Sequence, residues 1–593
     1  MPLIPSASRR LALLLAAALL VPPLSACRAE VEDPTRGAGA SAPADTAGVR
    51  SARAMVVAGQ PDAARAGLEV LRDGGNAIDA AVATGFALAV TLPNAGNVGG
   101  GGFLLVRFAD GRATSLDFRE VAPLAATRDL FIDPLTGRAR PDLSRRGHLA
   151  VGVPGTVAGL LEAHARWGSL PLERLMEPAI RLAEEGHVLS DRQARLLNIY
   201  REDFLASESA RRYFTKPDST LFRGGERWVQ RDLAGVLKRI RDHGRAGFYE
   251  GETADLIVAE MERGGGLITH EDLRRYRPVE RAPVYGWYRG YRVIGMGPPS
   301  SGGIALAQLL RAVEPYALRA MGHHSPAQIH LFGEAMRRAF ADRAHWLGDP
   351  AFADVPAEAL MDSLYVRRRM ASFDPDTVSS SLAVGHGTPP GLGPESTETT
   401  HYSIVDEAGN AVAVTYTIND YFGAKVAVGG AGFLLNDEMD DFTAAPGAPN
   451  LWGLVQGEAN AVRPGARPVS SMTPTILEDP EGRLFMVVGS PGGSRIITTV
   501  FQVVTNVVDF GMPVQAAVAA PRFHHQWLPE QLEVEEGFPD ATLGALGRLG
   551  WDVRRVSTFG AADAIVVTYD DAGRPTLHGG ADPRREDDVA VGY

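Results

Sequence analysis

Residues 76–89 constrain the fold more than any other stretch of the chain. Asn76 is a helix-capping residue, and the segment after it, Ala77-Ile78-Asp79-Ala80-Ala81-Val82 through Phe86 to Ala89, is apolar on almost every helical face. Such a helix has no side to give to water, so it is a central element. Pro61-Asp62 opens a helix just before it, and Asp73-Gly74-Gly75 stops that one. After the central helix, Gly99 to Gly102 lead into Phe103-Leu104-Leu105-Val106-Arg107-Phe108, which reads as a strand. Asp110-Gly111 then turns into a second strand holding Leu116 and Phe118.

Residues 156–380 read as mainly helical, with helical spacing over 156–167, 172–185, 232–243, 301–313 and 331–346. Strand patterns dominate again after Thr399. Residues 401–405 and 411–418, joined by the turn Asp406-Glu407-Ala408-Gly409-Asn410, predict a hairpin. Residues 484–488 and 564–568 are further strands, with a helix over 496–510 between them. No solenoid-like repeat is present.

The N-terminus has a different character. Arg9-Arg10 precede an apolar run from Leu11 to Val21, and Leu24-Ser25-Ala26-Cys27 follows. That is the layout of a signal peptide, and the run is too short for a comfortable membrane span. The last four residues resemble a bacterial lipobox, in which Cys27 becomes the lipidated first residue; ordinary signal cleavage, with Cys27 incidental, is the alternative. Cys27 is the only cysteine, so an intramolecular disulfide and a cysteine metal site are both excluded. Residues 27–50 are rich in Ala, Gly, Asp, Pro and Ser and predict a tether, with order beginning near Ala54. The formal charge of -12 argues against general nucleic-acid binding.

Two glycine-rich regions need separate readings. Residues 99–102 lack both the Walker lysine and the dinucleotide fingerprint, so close packing explains them better than a nucleotide. Residues 374–398 are rich in Ser, Gly and Pro and predict a flexible loop directly before a strand.

Several motifs occur in a telling order. They are Asn97-Val98-Gly99-Gly100-Gly101-Gly102-Phe103, Asp117-Phe118-Arg119-Glu120, Gly152-Val153-Pro154-Gly155-Thr156, Thr399-Thr400-His401-Tyr402-Ser403, Pro468-Val469-Ser470-Ser471-Met472, Gly489-Ser490-Pro491-Gly492-Gly493-Ser494 and Pro521-Arg522-Phe523-His524-His525. Each alone is weak. Together they resemble the gamma-glutamyltransferase family, also called gamma-glutamyltranspeptidases or glutathione hydrolases, over everything after about residue 52.

The resemblance implies an N-terminal-nucleophile hydrolase of α+β class. Its fold would be a four-layer αββα sandwich formed jointly by two chains cut from one precursor between Glu398 and Thr399. A signal peptide over 1–26, a tether over 27–50, a large subunit over 51–398 and a small subunit over 399–593 follow, the two subunits making one composite catalytic domain. Thr399 would be the nucleophile. Its freed α-amine, with an unperturbed pKa of about 8, would serve as base for its own hydroxyl. Thr417 resembles the threonine that hydrogen-bonds to the nucleophile. Gly492 and Gly493 match the backbone donors to the oxyanion.

For the γ-glutamyl group, Arg119 matches the carboxylate clamp, with Ser470 and Ser471 as hydroxyl partners. Asn419, Glu438 and Asp441 match the groups around the ammonium. Residues 446–467 resemble a lid loop, and Trp452 stands where the family commonly has a gating tyrosine. The amine mechanism needs no histidine, so His401, His524 and His525 are assigned structural roles.

The implied substrates are γ-glutamyl donors such as glutathione, with water, amino acids or peptides as acceptors. No metal or organic cofactor is implied, and no nucleic acid. The implied location is exported, on the periplasmic or cell-surface side, with membrane contact only through the lipid on Cys27. Two rivals stay open: a related acylase of the same fold, and an unprocessed surface lipoprotein that binds rather than catalyses.

Overall fold

The computed structural model describes residues 48–387, 400–444, 450, 454 and 457–593. Cys27, Glu398, Thr399 and Trp452 lie outside the described residues. The signal peptide, the cleavage junction and the gating position therefore remain sequence expectations.

Two seven-stranded sheets, antiparallel throughout, lie at the centre. The first runs in the order Val49–Ser51, Pro575–Gly580, Asp563–Tyr569, Leu484–Gly489, Thr475–Glu478, Tyr291–Gly295, Val284–Tyr288. The second runs Val589–Gly592, Met55–Ala58, Thr400–Val405, Ala411–Thr417, Gly101–Arg107, Ala113–Asp117, Val279–Arg281. Both sheets mix strands from before and after residue 399.

The layering follows from strand alternation, because neighbouring residues face opposite sides of a sheet. Val56, Leu104, Val412 and Val414 pack with the helices Pro61–Arg72, Ala77–Thr91, Thr156–Trp167 and Leu172–Glu185 in one core. Their neighbours Val57, Leu105 and Ala413 join Ile476, Val487 and Ile565 in a second core between the sheets. Met486 and Val488, on the far side of the first sheet, pack with the helices Gly302–Val313, Pro326–Trp346 and Arg495–Val508 in a third. Three cores separate four layers, helix–sheet–sheet–helix.

The central helix meets its expectation. All of Ala77–Thr91 is buried. Asn76 accepts from the Ile78 and Asp79 amides while the Asp79 carboxylate accepts from the Asn76 amide at 3.0 Å, a complete capping box. The hairpin after Thr399 is also as read, with Thr400–Val405 paired to Ala411–Thr417.

Three expectations need correction. First, the tether over 27–50 is too long: Val49–Ser51 is a strand, paired to Pro575–Gly580, with register Val49↔Gly579. A three-residue strand is too short to show a period. Second, 156–380 is mainly helical as read, but the reading passed over strands within it. It contains the strands Val279–Arg281, Val284–Tyr288 and Tyr291–Gly295. The last two form a hairpin whose turn residues Arg289 and Gly290 both have positive φ, 52° and 89°, as a tight hairpin turn requires.

Third, the described part of 374–398 is not a free loop. It holds the short helix Ser381–Val384 and is tied down at many points. The Val378 amide donates to the Leu549 carbonyl at 3.0 Å, the Ser381 amide to Glu530 at 2.5 Å and the Gly387 amide to Asp342 at 2.8 Å. Trp527 Nε1 donates to the Ser381 carbonyl at 2.7 Å. Among the described residues no helix is long and apolar enough to cross a membrane.

Candidate active site

The strand Thr400–Val405 places the residues around the expected junction. Thr400 pairs with Tyr416, so Thr417 lies one position past that partner, at the hairpin end nearest the junction. The Thr417 hydroxyl oxygen accepts the Asn419 amide at 2.7 Å, and its carbonyl accepts Asn97 Nδ2 at 2.8 Å. Asn419 has φ of 70°, a left-handed conformation that asparagine tolerates better than most residues. Its Nδ2 donates to the Asp437 carbonyl at 3.1 Å, while its Oδ1 is buried with no hydrogen-bond partner.

The substrate-side residues do come together. Glu438–Asp441 is a single 3-10 turn, and every residue in it is buried. Asn436 sets its position: Oδ1 accepts the Glu438 amide at 3.0 Å and the Gly152 amide at 2.9 Å, while Nδ2 donates to the Gly99 and Gly152 carbonyls, each at 2.8 Å. Arg119 reaches this turn. One guanidinium nitrogen donates to Glu438 and another to Asp441. Nε donates to the Pro468 carbonyl at 3.2 Å, and a terminal nitrogen to the Val469 carbonyl at 3.3 Å. Arg119 thus ties the carboxylate turn to the segment carrying Ser470 and Ser471.

This arrangement adds a partner set to the expected clamp. The guanidinium is not presented to an open space; it already holds the carboxylates expected to receive an ammonium. Arg119, Glu120, Glu438 and Asp441 are all fully buried. Glu120 Oε2 stands 3.6 Å from the guanidinium, and both its oxygens lack a hydrogen-bond partner. Burial pushes the Glu120 carboxyl up to about 7, with Arg119 pulling the other way. Burial likewise raises Glu438 well above the ordinary carboxylate range, again opposed by Arg119. Burial alone would lower Arg119, but Glu438, Asp441 and Glu120 together raise it, so it stays charged.

Ser470 forms a parallel bridge to Ser300, with Ser471 the next residue, so the pair does not sit in a loose loop. The Ser470 amide donates to the Pro299 carbonyl at 3.0 Å, and the Ser471 hydroxyl oxygen accepts from Arg343 at 2.6 Å. Gly492 and Gly493 follow the strand Leu484–Gly489 and precede the helix Arg495–Val508. Their φ values are 130° and 64°, a region that disfavours any side chain. A Cβ on Gly492 would stand 2.9 Å from Gly560 Cα. At Gly489 a Cβ would come within 2.3 Å of His401, so this strand packs directly on the one that begins at Thr400.

His401, His524 and His525 are buried, and burial disfavours their charged form. Burial pushes His401 down to about 3, and its ring nitrogens contact Thr415 Oγ1 at 2.8 Å and Ser403 Oγ at 3.0 Å. His524 is pushed down to about 4 and His525 well below its usual value. The glycines at 99–102 are packing residues: a Cβ on Gly100 would stand 1.9 Å from the Thr417 carbonyl oxygen. Sequence reasoning quoted Asn97 within a motif without giving it a role and missed Asn436 and Arg343; all three hold these groups in place.

Residues 63–592 match the family model described as gamma-glutamyltranspeptidase. The glutathione hydrolase proenzyme of Escherichia coli (strain K12) is 46% identical over 547 residues, covering 92% of this chain and 93% of that protein. A cephalosporin acylase from Bacillus halodurans superposes with a TM-score of 0.82 at 29% identity, covering 94% of this chain and 99% of the other. The Helicobacter pylori gamma-glutamyltranspeptidase superposes with a TM-score of 0.55 at 46% identity, covering 56% of this chain and 94% of that one. With its four layers, its motifs in order and a match spanning nearly the whole sequence, the chain belongs to the gamma-glutamyltranspeptidase family.

Proposed function

We propose that the protein is a self-processing gamma-glutamyltransferase and glutathione hydrolase. In the precursor, the Thr399 hydroxyl attacks the Glu398 carbonyl carbon. The peptide C–N bond breaks and an ester forms, which water then hydrolyses. The freed α-amine of Thr399 takes the hydroxyl proton when Thr399 attacks a γ-glutamyl amide. The leaving amine departs protonated, and the Thr399 ester is resolved by water or by the amine of an amino acid or peptide. The Gly492 and Gly493 amides stabilise the oxyanion, and Thr417 orients the nucleophile.

The observation that carries this reading is the buried set of Arg119, Glu438 and Asp441. A γ-glutamyl group brings a carboxylate and an ammonium on one carbon. It can separate the ion pairs and give each half a new partner of the right sign, Arg119 with Ser470 and Ser471 taking the carboxylate. Glu438, Asp441 and Asn419 Oδ1 take the ammonium. A glutaryl group brings only the carboxylate and would leave Glu438 and Asp441 buried without a cation, a costly state. This favours γ-glutamyl chemistry over the acylase reading, which the likeness to the Bacillus halodurans enzyme keeps as the second possibility.

The finer organisation belongs to the same proposal. Residues 1–26 are removed, Cys27 carries a lipid, and the exported protein is held at the periplasmic or cell-surface side. Residues 51–398 and 399–593 stay together as a large and a small subunit sharing one catalytic domain, and Trp452 lines the acceptor path. The test is a denaturing gel of the mature precursor with mass spectrometry of both N-termini, next to a Thr399→Ala variant. Two chains beginning at Cys27 and Thr399 are expected, with Thr399→Ala staying whole and releasing no amine from a γ-glutamyl anilide. A Thr399→Ala chain that still splits there rules out the internal nucleophile. Processing with glutaryl but no γ-glutamyl turnover would establish the acylase.

A further inference from the structure

Arg343 is buried in the long helix Pro326–Trp346, and its guanidinium reaches across to Ser471 and Ser301. One terminal nitrogen donates to the Ser471 hydroxyl oxygen at 2.6 Å. Nε donates to Ser301 Oγ at 3.2 Å. Ser301 in turn grips the next residue along: its amide and its hydroxyl both donate to the Ser470 carbonyl, at 2.8 and 3.1 Å. The guanidinium carbon also lies 5.7 Å from the centre of the Phe340 ring.

We propose that Arg343 is a positioning residue for the α-carboxylate of the acyl donor and acts through Ser471. A guanidinium has five donors and no acceptor. A serine hydroxyl that accepts from it must send its own hydrogen to some other acceptor. The charged donor also polarises that hydroxyl and strengthens it as a donor. Arg343 therefore fixes the direction of the Ser471 hydrogen and makes it suited to an anion.

Charge balance gives a second reason for Arg343. Arg119 pairs with Glu438 and Asp441 and stands 3.6 Å from Glu120. A ligand carboxylate entering there comes close to these acidic groups as well as to the guanidinium. Arg343 places a second cation on the serine side, one hydroxyl away from the ligand. It touches no reacting atom.

The inference rests on the reading of Ser471 as a carboxylate contact, so the experiment separates the two. Arg343→Met, Arg343→Lys, Ser471→Ala and the Arg343→Met/Ser471→Ala double variant are compared on γ-glutamyl anilide and on 4-aminobutyryl anilide, which lacks the α-carboxylate. Arg343→Met should lower the preference for the γ-glutamyl compound about tenfold, through KM rather than kcat, with self-cleavage intact. Ser471→Ala should do the same, and the double variant should be no worse than the worse single one. Arg343→Lys should recover part of the loss.

A Ser471→Ala enzyme with unchanged preference removes the Ser471 reading and this inference with it. If Ser471→Ala lowers the preference but the double variant multiplies the two losses, Arg343 does not act through Ser471. Should Arg343→Met fail to accumulate as folded protein, Arg343→Lys carries the test. A preference equal to that of the parent then overturns the proposal.

Discussion

Arg119 and Glu438 form an ion pair in which neither side chain has any exposed surface. Removing one member of such a pair leaves a buried charge without compensation, at a cost of about 3–5 kcal/mol. Asp441 shares the same guanidinium, so Arg119 answers for two carboxylates at once. Arg119→Met should therefore lower unfolding free energy by about 3 kcal/mol in urea titration. Arg119→Lys keeps the charge but loses the fork. It should still self-cleave, while kcat/KM on a γ-glutamyl anilide falls at least a hundredfold. Unchanged kinetics in the lysine variant would take Arg119 out of substrate recognition.

Gly492→Ala tests the proposed oxyanion site. The alanine would be held at φ of 130° with its methyl carbon 2.9 Å from Gly560 Cα, so the turn must move. Loss of one aligned donor costs on the order of a hundredfold in kcat. The expected result is that drop with KM changed less than threefold. A variant with normal kcat would show that the Gly492 amide is not aimed at the reacting carbonyl.

His401 supplies a pH dependence with a defined sign. Burial depresses its folded value to about 3, whereas the unfolded chain takes the proton near 6.5. Its contribution to stability is therefore present above pH 6.5 and lost as pH falls from there toward 3. At pH 5 the loss is about 2 kcal/mol, from 1.36 kcal/mol per pH unit. Between pH 7.5 and pH 5, His401→Gln should lose about 2 kcal/mol less than the parent chain by urea unfolding. Equal losses would place the acid sensitivity in other groups.

The anchor at Ser381 bears on self-cleavage. Glu530 accepts the Ser381 amide and also pairs with Arg337 at 3.0 Å. The same stretch is also held by Val378 to Leu549, Ser381 to Trp527 and Gly387 to Asp342, so losing Glu530 loosens it without freeing it. Glu530→Ala should slow precursor cleavage about twofold, the effect of losing one of several hydrogen bonds. Turnover by the cleaved enzyme should not change. Band densities over time measure the first and anilide release the second, and a cleavage rate matching the parent's would show that the anchor does not position the junction.

Legibility in the sequence depended on how local the cause was. Asn76 and its central helix were readable because cap and burial both arise within a few turns. The strands Val284–Tyr288 and Tyr291–Gly295 were hidden because burial alternates only weakly there and Arg289 occupies a turn position usually held by asparagine or glycine. Motifs named Arg119, Glu438, Asp441, Ser470 and Ser471, but not the fact that the first three engage one another. Arg343 and Asn436 left no signal, since their partners Ser471 and Gly152 lie 128 and 284 residues away.

The mixing of strands across residue 399 has a consequence for the protein's history. Thr400–Val405 is bonded to Met55–Ala58, and Ala411–Thr417 to Gly101–Arg107. While the chain is continuous, these partners find each other at a rate that does not depend on protein concentration. Once cut, a denatured sample holds two polypeptides whose reunion is a second-order event, and neither carries a complete sheet alone. On the proposed cut, folding happens once, from an intact molecule, and the working enzyme keeps an arrangement that its own separated pieces are poorly equipped to regain.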